Sequence, residues 1–247
     1  KYQINSSLRV LYKIAADENE FLVSSRTYAE SRARTDFYIF PIDRKIQNLG
    51  IVNSPPKSFP SYWAESRVVA YAPEKCVTVE CLDYKGDVFG YAKIYAEKEF
   101  KTGEKVFQFL TEQSAKSTKN LFPKVLGFDE TSKILMLKNI SGNRLANLDK
   151  PRSSKGFQLL GKAIGELHEV STSVKLPEFS RLAPDRIEVA SKTISLARPD
   201  CKNQAENLAK KLLKTCNFGD EEKVVLHGDV HPKNGILQDD ETVALID

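Results

Sequence analysis

No apolar run in these 247 residues approaches the roughly 20 residues that a membrane-spanning helix needs, so no membrane partner is expected. Nor is there an internal repeat or a low-complexity tract. Cys76, Cys81, Cys201 and Cys216 form no C-x-x-C pair. Scattered cysteines without ligand spacing speak against a disulfide framework or a zinc site and for a reducing, cytoplasmic setting. The basic residues build no stripe with interleaved aromatics, so nucleic acid is not an expected partner. The net charge of +4 is spread along the chain and suits an anionic small ligand. Lys1 begins no signal peptide. The missing initiator methionine and the halt at Asp247 give the expectation of a processed or trimmed chain.

The composition that remains is 41% hydrophobic and 28% charged, a globular profile with enough chain for a sizeable core. Its chemistry gathers at the end, in LHGDVHPKNGILQDDETVALID, residues 226–247. Asp229 and Asn234 stand on one loop. Val243 to Ile246 reads as a buried strand ending in Asp247. Carboxylates and an amide held together, with phosphate oxygens completing the shell, suit a hard cation such as Mg²⁺.

The pattern H-G-D-x-H-P-x-N, followed by an apolar strand and Ile-Asp, resembles the aminoglycoside phosphotransferase and choline kinase superfamily. The spacing from Asp to Asn is that of the protein-kinase catalytic loop, with Gly228 where protein kinases carry arginine. The resemblance covers roughly residues 67–247. It implies an α+β, protein-kinase-like fold of two lobes: a small antiparallel-sheet N-lobe over 67–140 and a mainly helical C-lobe over 141–247, running on past Asp247. Residues 1–66 form an N-terminal extension.

Within that extension, residues 1–25 read as a helix, with Ile4, Leu8, Leu11 and Ala15 on one face. Residues 26–36 read as a loop and Phe37 to Phe40 as a short strand stopped by Pro41. Residues 53–60 form a linker or covering loop. Three strands follow, at 67–71, 76–84 and 88–96, with Val77, Val79 and Cys81 on one face at period two. A helix is expected over 101–114, capped by Thr102 and burying Val106, Phe107 and Leu110. Strands are expected at 123–128 and 133–137, and a strong helix at 153–170 carries Phe157, Leu160, Ile164 and Leu167 at a 3.6 period. Residues 185–216 read as two helices broken near Pro199, with Leu208, Leu212 and Leu213 facing a core.

The resemblance also assigns roles. Asp229 would take the proton of the acceptor hydroxyl, and Asn234 and Asp247 would hold Mg²⁺ against ATP. Lys93, on the third strand, would reach the α- and β-phosphates. Glu104, with Glu112 second, would pair with Lys93. Backbone groups of Lys138, Asn139 and Ile140 would hold adenine. The turn Ala72 to Lys75 lacks the glycines of a protein-kinase phosphate loop, so Lys75 would contribute charge there. Gly228 permits an unusual backbone conformation or a close approach. Gly235 stands where the family commonly has an aliphatic residue and would loosen the start of its strand. The implied activity is an ATP- and Mg²⁺-dependent transfer to a hydroxyl of a small molecule: a sugar, an aminoglycoside or an amino alcohol. The alternative is a silent nucleotide-binding or interaction module.

Overall fold

The structure, a computed structural model, describes residues 2–3, 7–16, 18–29, 34–116, 121–177, 184–215 and 223–246. In chain order the elements are β1 (Tyr2–Gln3), β2 (Ser7–Ala16), β3 (Asn19–Tyr28), β4 (Arg34–Ile39), β5 (Glu65–Ala72), β6 (Cys76–Leu82) and β7 (Val88–Tyr95). Then come α1 (Glu97–Lys116), β8 (Val125–Asp129), β9 (Ile134–Lys138), β10 (Asn143–Arg144), α2 (Lys150–His168), α3 (Pro184–Ala197), α4 (Lys202–Thr215), β11 (Gly235–Leu237) and β12 (Val243–Leu245). No described helix is long and apolar enough to cross a membrane.

The chain groups into two compact units. One comprises residues 1–37 and 178–223, the other 38–177 and 224–247. In the first, β1 to β4 form an antiparallel sheet in sequence order. This corrects the helix expected over 1–25. Ser7 to Ala16 pair residue by residue with Asn19 to Tyr28, closing at Ala16 and Asn19. The apolar residues at helical spacing are incidental. Leu8, Leu11, Tyr12 and Ile14 are exposed on the strand, and a long cross-strand ladder outweighs a weak local period. The loop expected over 26–36 is in part strand at both ends. Helices α3 and α4 flank a short helical turn at Pro199–Cys201, at the break expected near Pro199. Leu208, expected in a core, is 58% exposed, whereas Ala209 is buried.

The second unit carries a five-stranded antiparallel sheet in the order β5-β6-β7-β9-β8. Val69 is the extra residue of a bulge in β5. One face is closed by Val77, Val79 and Cys81 with Ala92, Ile94, Ile134 and Met136, all fully buried. Burial pushes the Cys81 thiol up to about 12, which leaves it protonated and unreactive. Residues 53–60 do cover the sheet: the Phe59 ring lies directly on Gly127 of β8. The opposite face presents Tyr91, Lys93 and Tyr95, cross-strand from Glu80, Thr78 and Cys76.

Helix α1 begins at Glu97, so Thr102 lies inside it and is not its cap. Its Phe100 and Phe107 stack on Phe128 of β8. Helix α2 begins at Lys150, where the Asp149 side chain accepts the Arg152 N–H at 3.3 Å. A second core joins α1, α2 and β12: Phe109, Leu110, Leu145, Leu160, Ala163, Leu167, Val243 and Leu245. At about 1.5–3 kcal/mol for each large apolar side chain, this core fixes β12.

Candidate active site

The loop 226–234 feeds directly into the β11–β12 hairpin, in which Gly235 pairs with Leu245 and Leu237 with Val243. A short helical turn at Pro232–Asn234 joins the two. Gly228 has φ +85°, and a side chain there would meet nothing within 4 Å. Of the two reasons for a glycine, conformation is the one that applies.

Asn234 organises the loop. Its side-chain amide donates to the Asp229 carbonyl at 3.1 Å, its backbone N–H donates to the His231 carbonyl at 2.9 Å, and its own carbonyl accepts the Ile246 N–H at 2.9 Å. The residue is buried. With Nδ2 engaged, Oδ1 is the atom left to meet a cation, as a hard oxygen ligand should. Asp247 lies outside the described residues. The strand leading to it is anchored by the Leu245 N–H on the Leu121 carbonyl at 2.8 Å and by His227, whose Nε2 is 3.0 Å from the Ile246 carbonyl. His227 Nδ1 is buried and has no hydrogen-bond partner among the described residues.

The Asp229 side chain is 74% exposed and its Oδ2 lies 3.6 Å from His231 Nε2. That is an ion-pair distance, too long for a hydrogen bond. His231 Nδ1 accepts the Lys233 N–H at 3.1 Å, so Nε2 carries the proton and faces the carboxylate. Beside this loop is a cleft of about 520 Å³ lined by Leu145, Leu148, Ser153, Phe157, His231 and Lys233 among others. Phe157, expected on the buried stripe of α2, turns into this cleft and is half exposed.

Gly235 does not leave a gap. A Cβ there would lie 2.7 Å from Leu145 Cδ1, so Leu145 already fills the space an aliphatic side chain would take. The strand start is therefore packed.

Lys93 is half-buried on β7, with Nζ 5.9 Å from the Tyr95 ring centroid. The Tyr95 ring in turn lies against Gly103 of α1. Glu104 is half-buried and forms no ion pair among the described residues. Glu112 is engaged elsewhere: it binds Lys116, the Thr172 hydroxyl at 2.8 Å and the Ser173 N–H at 3.1 Å. The Lys116 ammonium, followed by Thr172 and Ser173, holds its carboxyl down at about 2. Neither glutamate is brought to Lys93. At the hinge, the Lys138 N–H donates to the Lys124 carbonyl and the Asn139 N–H to the Phe89 carbonyl, at 2.7 and 2.9 Å. Two of the three expected backbone donors are thus used within the fold.

Tyr91 is a residue the sequence reading passed over. It shares the face of Lys93 two positions earlier, and its hydroxyl reaches Glu80 Oε1 at 3.4 Å. Burial first, then the Glu80 charge, raises its pKa above the ordinary tyrosine value, so it stays neutral. Strand alternation counted back from Lys93 would have found it.

A five-stranded antiparallel sheet with a lysine on its central strand, a helix inserted between its third and fourth strands, and then a helical part with a loop-and-hairpin site make a protein-kinase-like fold. Within it the chain belongs to the phosphotransferase enzyme family (APH), whose sequence profile matches residues 105–247. No curated protein matches the chain. Among solved structures it is similar to the streptomycin–ATP complex of APH(2")-IIa, with a TM-score of 0.54 and 14% identity over 74% of this chain and 65% of that one. It is similar too to choline kinase from Cryptosporidium parvum, with a TM-score of 0.53 and 14% identity over 80% and 63%. An aminoglycoside-3'-phosphotransferase of type VIII gives a TM-score of 0.52 and 18% identity over 79% and 74%. At these identities the likeness speaks for the fold. The chain spans less than two thirds of the length of the first two.

Proposed function

We propose that this protein is an ATP- and Mg²⁺-dependent phosphotransferase that moves the γ-phosphoryl group to a hydroxyl of a small molecule, a sugar, an aminoglycoside or an amino alcohol. The observation that carries the reading is Asn234, which ties the Asp229 carbonyl to the strand leading to Asp247 and keeps Oδ1 for a cation. Asn234 and Asp247 would hold Mg²⁺, which when bound neutralises phosphate charge. Lys93 binds the α- and β-phosphates, and the hinge from Lys138 to Ile140 holds the base, with the Tyr91 ring beside it. The acceptor enters from the cleft beside His231. Asp229 takes the hydroxyl proton as the acceptor oxygen bonds to the γ-phosphorus, and the bond to the ADP oxygen breaks.

A second reading, a nucleotide-binding or interaction module without turnover, draws on the turn from Ala72 to Lys75, which lacks the glycines of a kinase phosphate loop. Thermal denaturation with and without MgATP, followed by an acceptor screen, separates the two. A native-state ligand at a hundredfold excess over its Kd adds about 2.7 kcal/mol, a clear rise in Tm. A flat titration to millimolar MgATP removes the phosphotransferase reading and leaves an interaction module that binds no nucleotide. A shift with no ADP released on any hydroxyl acceptor leaves the silent module.

A further inference from the structure

The turn between β5 and β6, residues 72–76, is the one that kinases use to cover the phosphates, and they do so with open backbone N–H groups. In this chain those groups are closed. Pro73 has none. The Glu74 N–H donates to Asp43 Oδ2 at 2.9 Å, and the Lys75 N–H donates to the Ala72 carbonyl at 2.9 Å. The Lys75 carbonyl accepts the Ala96 N–H at 2.8 Å, which seats the turn on the end of β7.

Residues Asp43 and Arg44 hold it there. Asp43 accepts four hydrogen bonds: the N–H groups of Lys45 and Ile46 at 2.6 and 2.9 Å, the Tyr71 hydroxyl at 2.7 Å and the Glu74 N–H. The Arg44 guanidinium grips both oxygens of Glu74 at 3.1 and 2.9 Å. The Glu74 side chain is 6% exposed, and its backbone has φ +63°, a left-handed conformation unusual for glutamate. A bidentate pair and a shared carboxylate fix that conformation where a flexible glycine would stand.

We propose that Asp43 and Arg44 are positioning residues of the nucleotide-covering turn, which meets phosphate through the Lys75 side chain, together with Lys93 of β7, and not through its own amides. This rests on the phosphotransferase reading. The test combines amide hydrogen exchange with steady-state kinetics on Asp43→Ala. In the wild type, the Glu74 and Lys75 amides are protected before nucleotide is added, and MgATP adds little. In Asp43→Ala the Glu74 amide exchanges freely. KM for MgATP rises about tenfold, the scale of a lost hydrogen bond or two, with kcat within a few fold. Should Asp43→Ala not fold, Arg44→Gln, which removes only the fork to Glu74, carries the same readouts. Wild-type amides that become protected only with MgATP overturn the proposal. So does a folded variant with an unchanged KM. A wild type that binds no MgATP overturns the phosphotransferase reading first and this one with it.

Discussion

His227 Nε2 and the carbonyl of Ile246 stand 3.0 Å apart, although the two residues belong to different sides of the site. The bond fastens the start of the loop 226–234 to the end of the strand that leads to Asp247. An imidazole in this place acts as a brace, since its other nitrogen is buried and has no hydrogen-bond partner among the described residues.

His227→Leu should therefore lower stability by about 1–3 kcal/mol, the cost of a polar group left without its donor. His227→Gln can still extend an N–H and should recover part of the loss. Urea midpoints of the two variants, read beside their Kd for MgATP, check this. Equal midpoints would mean that the bond contributes nothing.

Asp229→Asn keeps the size of the side chain and removes the base. It should lower kcat by roughly a hundredfold or more, the scale of a positioned base, and leave the Kd for MgATP nearly unchanged. Asn234→Ala should instead weaken Mg²⁺-dependent binding, because it removes both the free oxygen and the amide that holds the Asp229 carbonyl. Single-turnover rates and nucleotide titrations distinguish the two failures. Identical profiles in both variants would undo the separation of base from metal ligand.

The loop 226–234 was legible in the sequence as a structural unit because its bonds are local: Asn234 meets Asp229 and His231, and Lys233 meets His231, within five positions. Strands β5 to β7 were legible because Val77, Val79 and Cys81 alternate against a buried face. The hairpin of β2 and β3 was not, since its ladder pairs residues whose apolar positions imitate a helix. Asp43 and Arg44 were invisible for a different reason. Their partner Glu74 is some thirty positions away and, in sequence, looks like any surface glutamate. Glu104 and Glu112 show the converse limit. A helix can be found from its period, yet which of its acids meets a lysine depends on packing, and here the Tyr95 ring of β7 lies against Gly103 of α1.

Gly235→Ala should destabilise the hairpin by about 1–3 kcal/mol, the usual cost of overfilling a packed site. The added methyl would press on Leu145, itself buried and part of the core with α2. Leu145→Ala in the same chain should relieve the pressure, so the double variant is less damaged than the sum of the single ones. Thermal melts of the four members of the cycle check this. Strict additivity would place the conflict somewhere other than Leu145.

Glu112 makes an acid-side prediction. Its folded pKa of about 2 lies below its ordinary value of 4.5. The group thus stabilises the fold fully above pH about 4.5, and that contribution fades as pH falls toward about 2. Glu112→Gln should lower Tm at neutral pH, and the gap from the wild type should close between those two values. A gap that stays constant down to pH 2 would show that the carboxylate charge is not what binds the segment 171–173 to α1.

The first compact unit is assembled from the two separate stretches 1–37 and 178–223, with most of the other unit between them in the chain. During synthesis the sheet of β1 to β4 emerges long before α3 and α4 exist, and it must wait through the making of the five-stranded sheet, α1 and α2. Loop closure over so long a span is entropically costly and slow to find. For anyone trimming the protein to a minimal catalytic core, a start at Tyr38 would discard half of a unit and keep the other half. The strands and the two helices should instead be kept together or removed together.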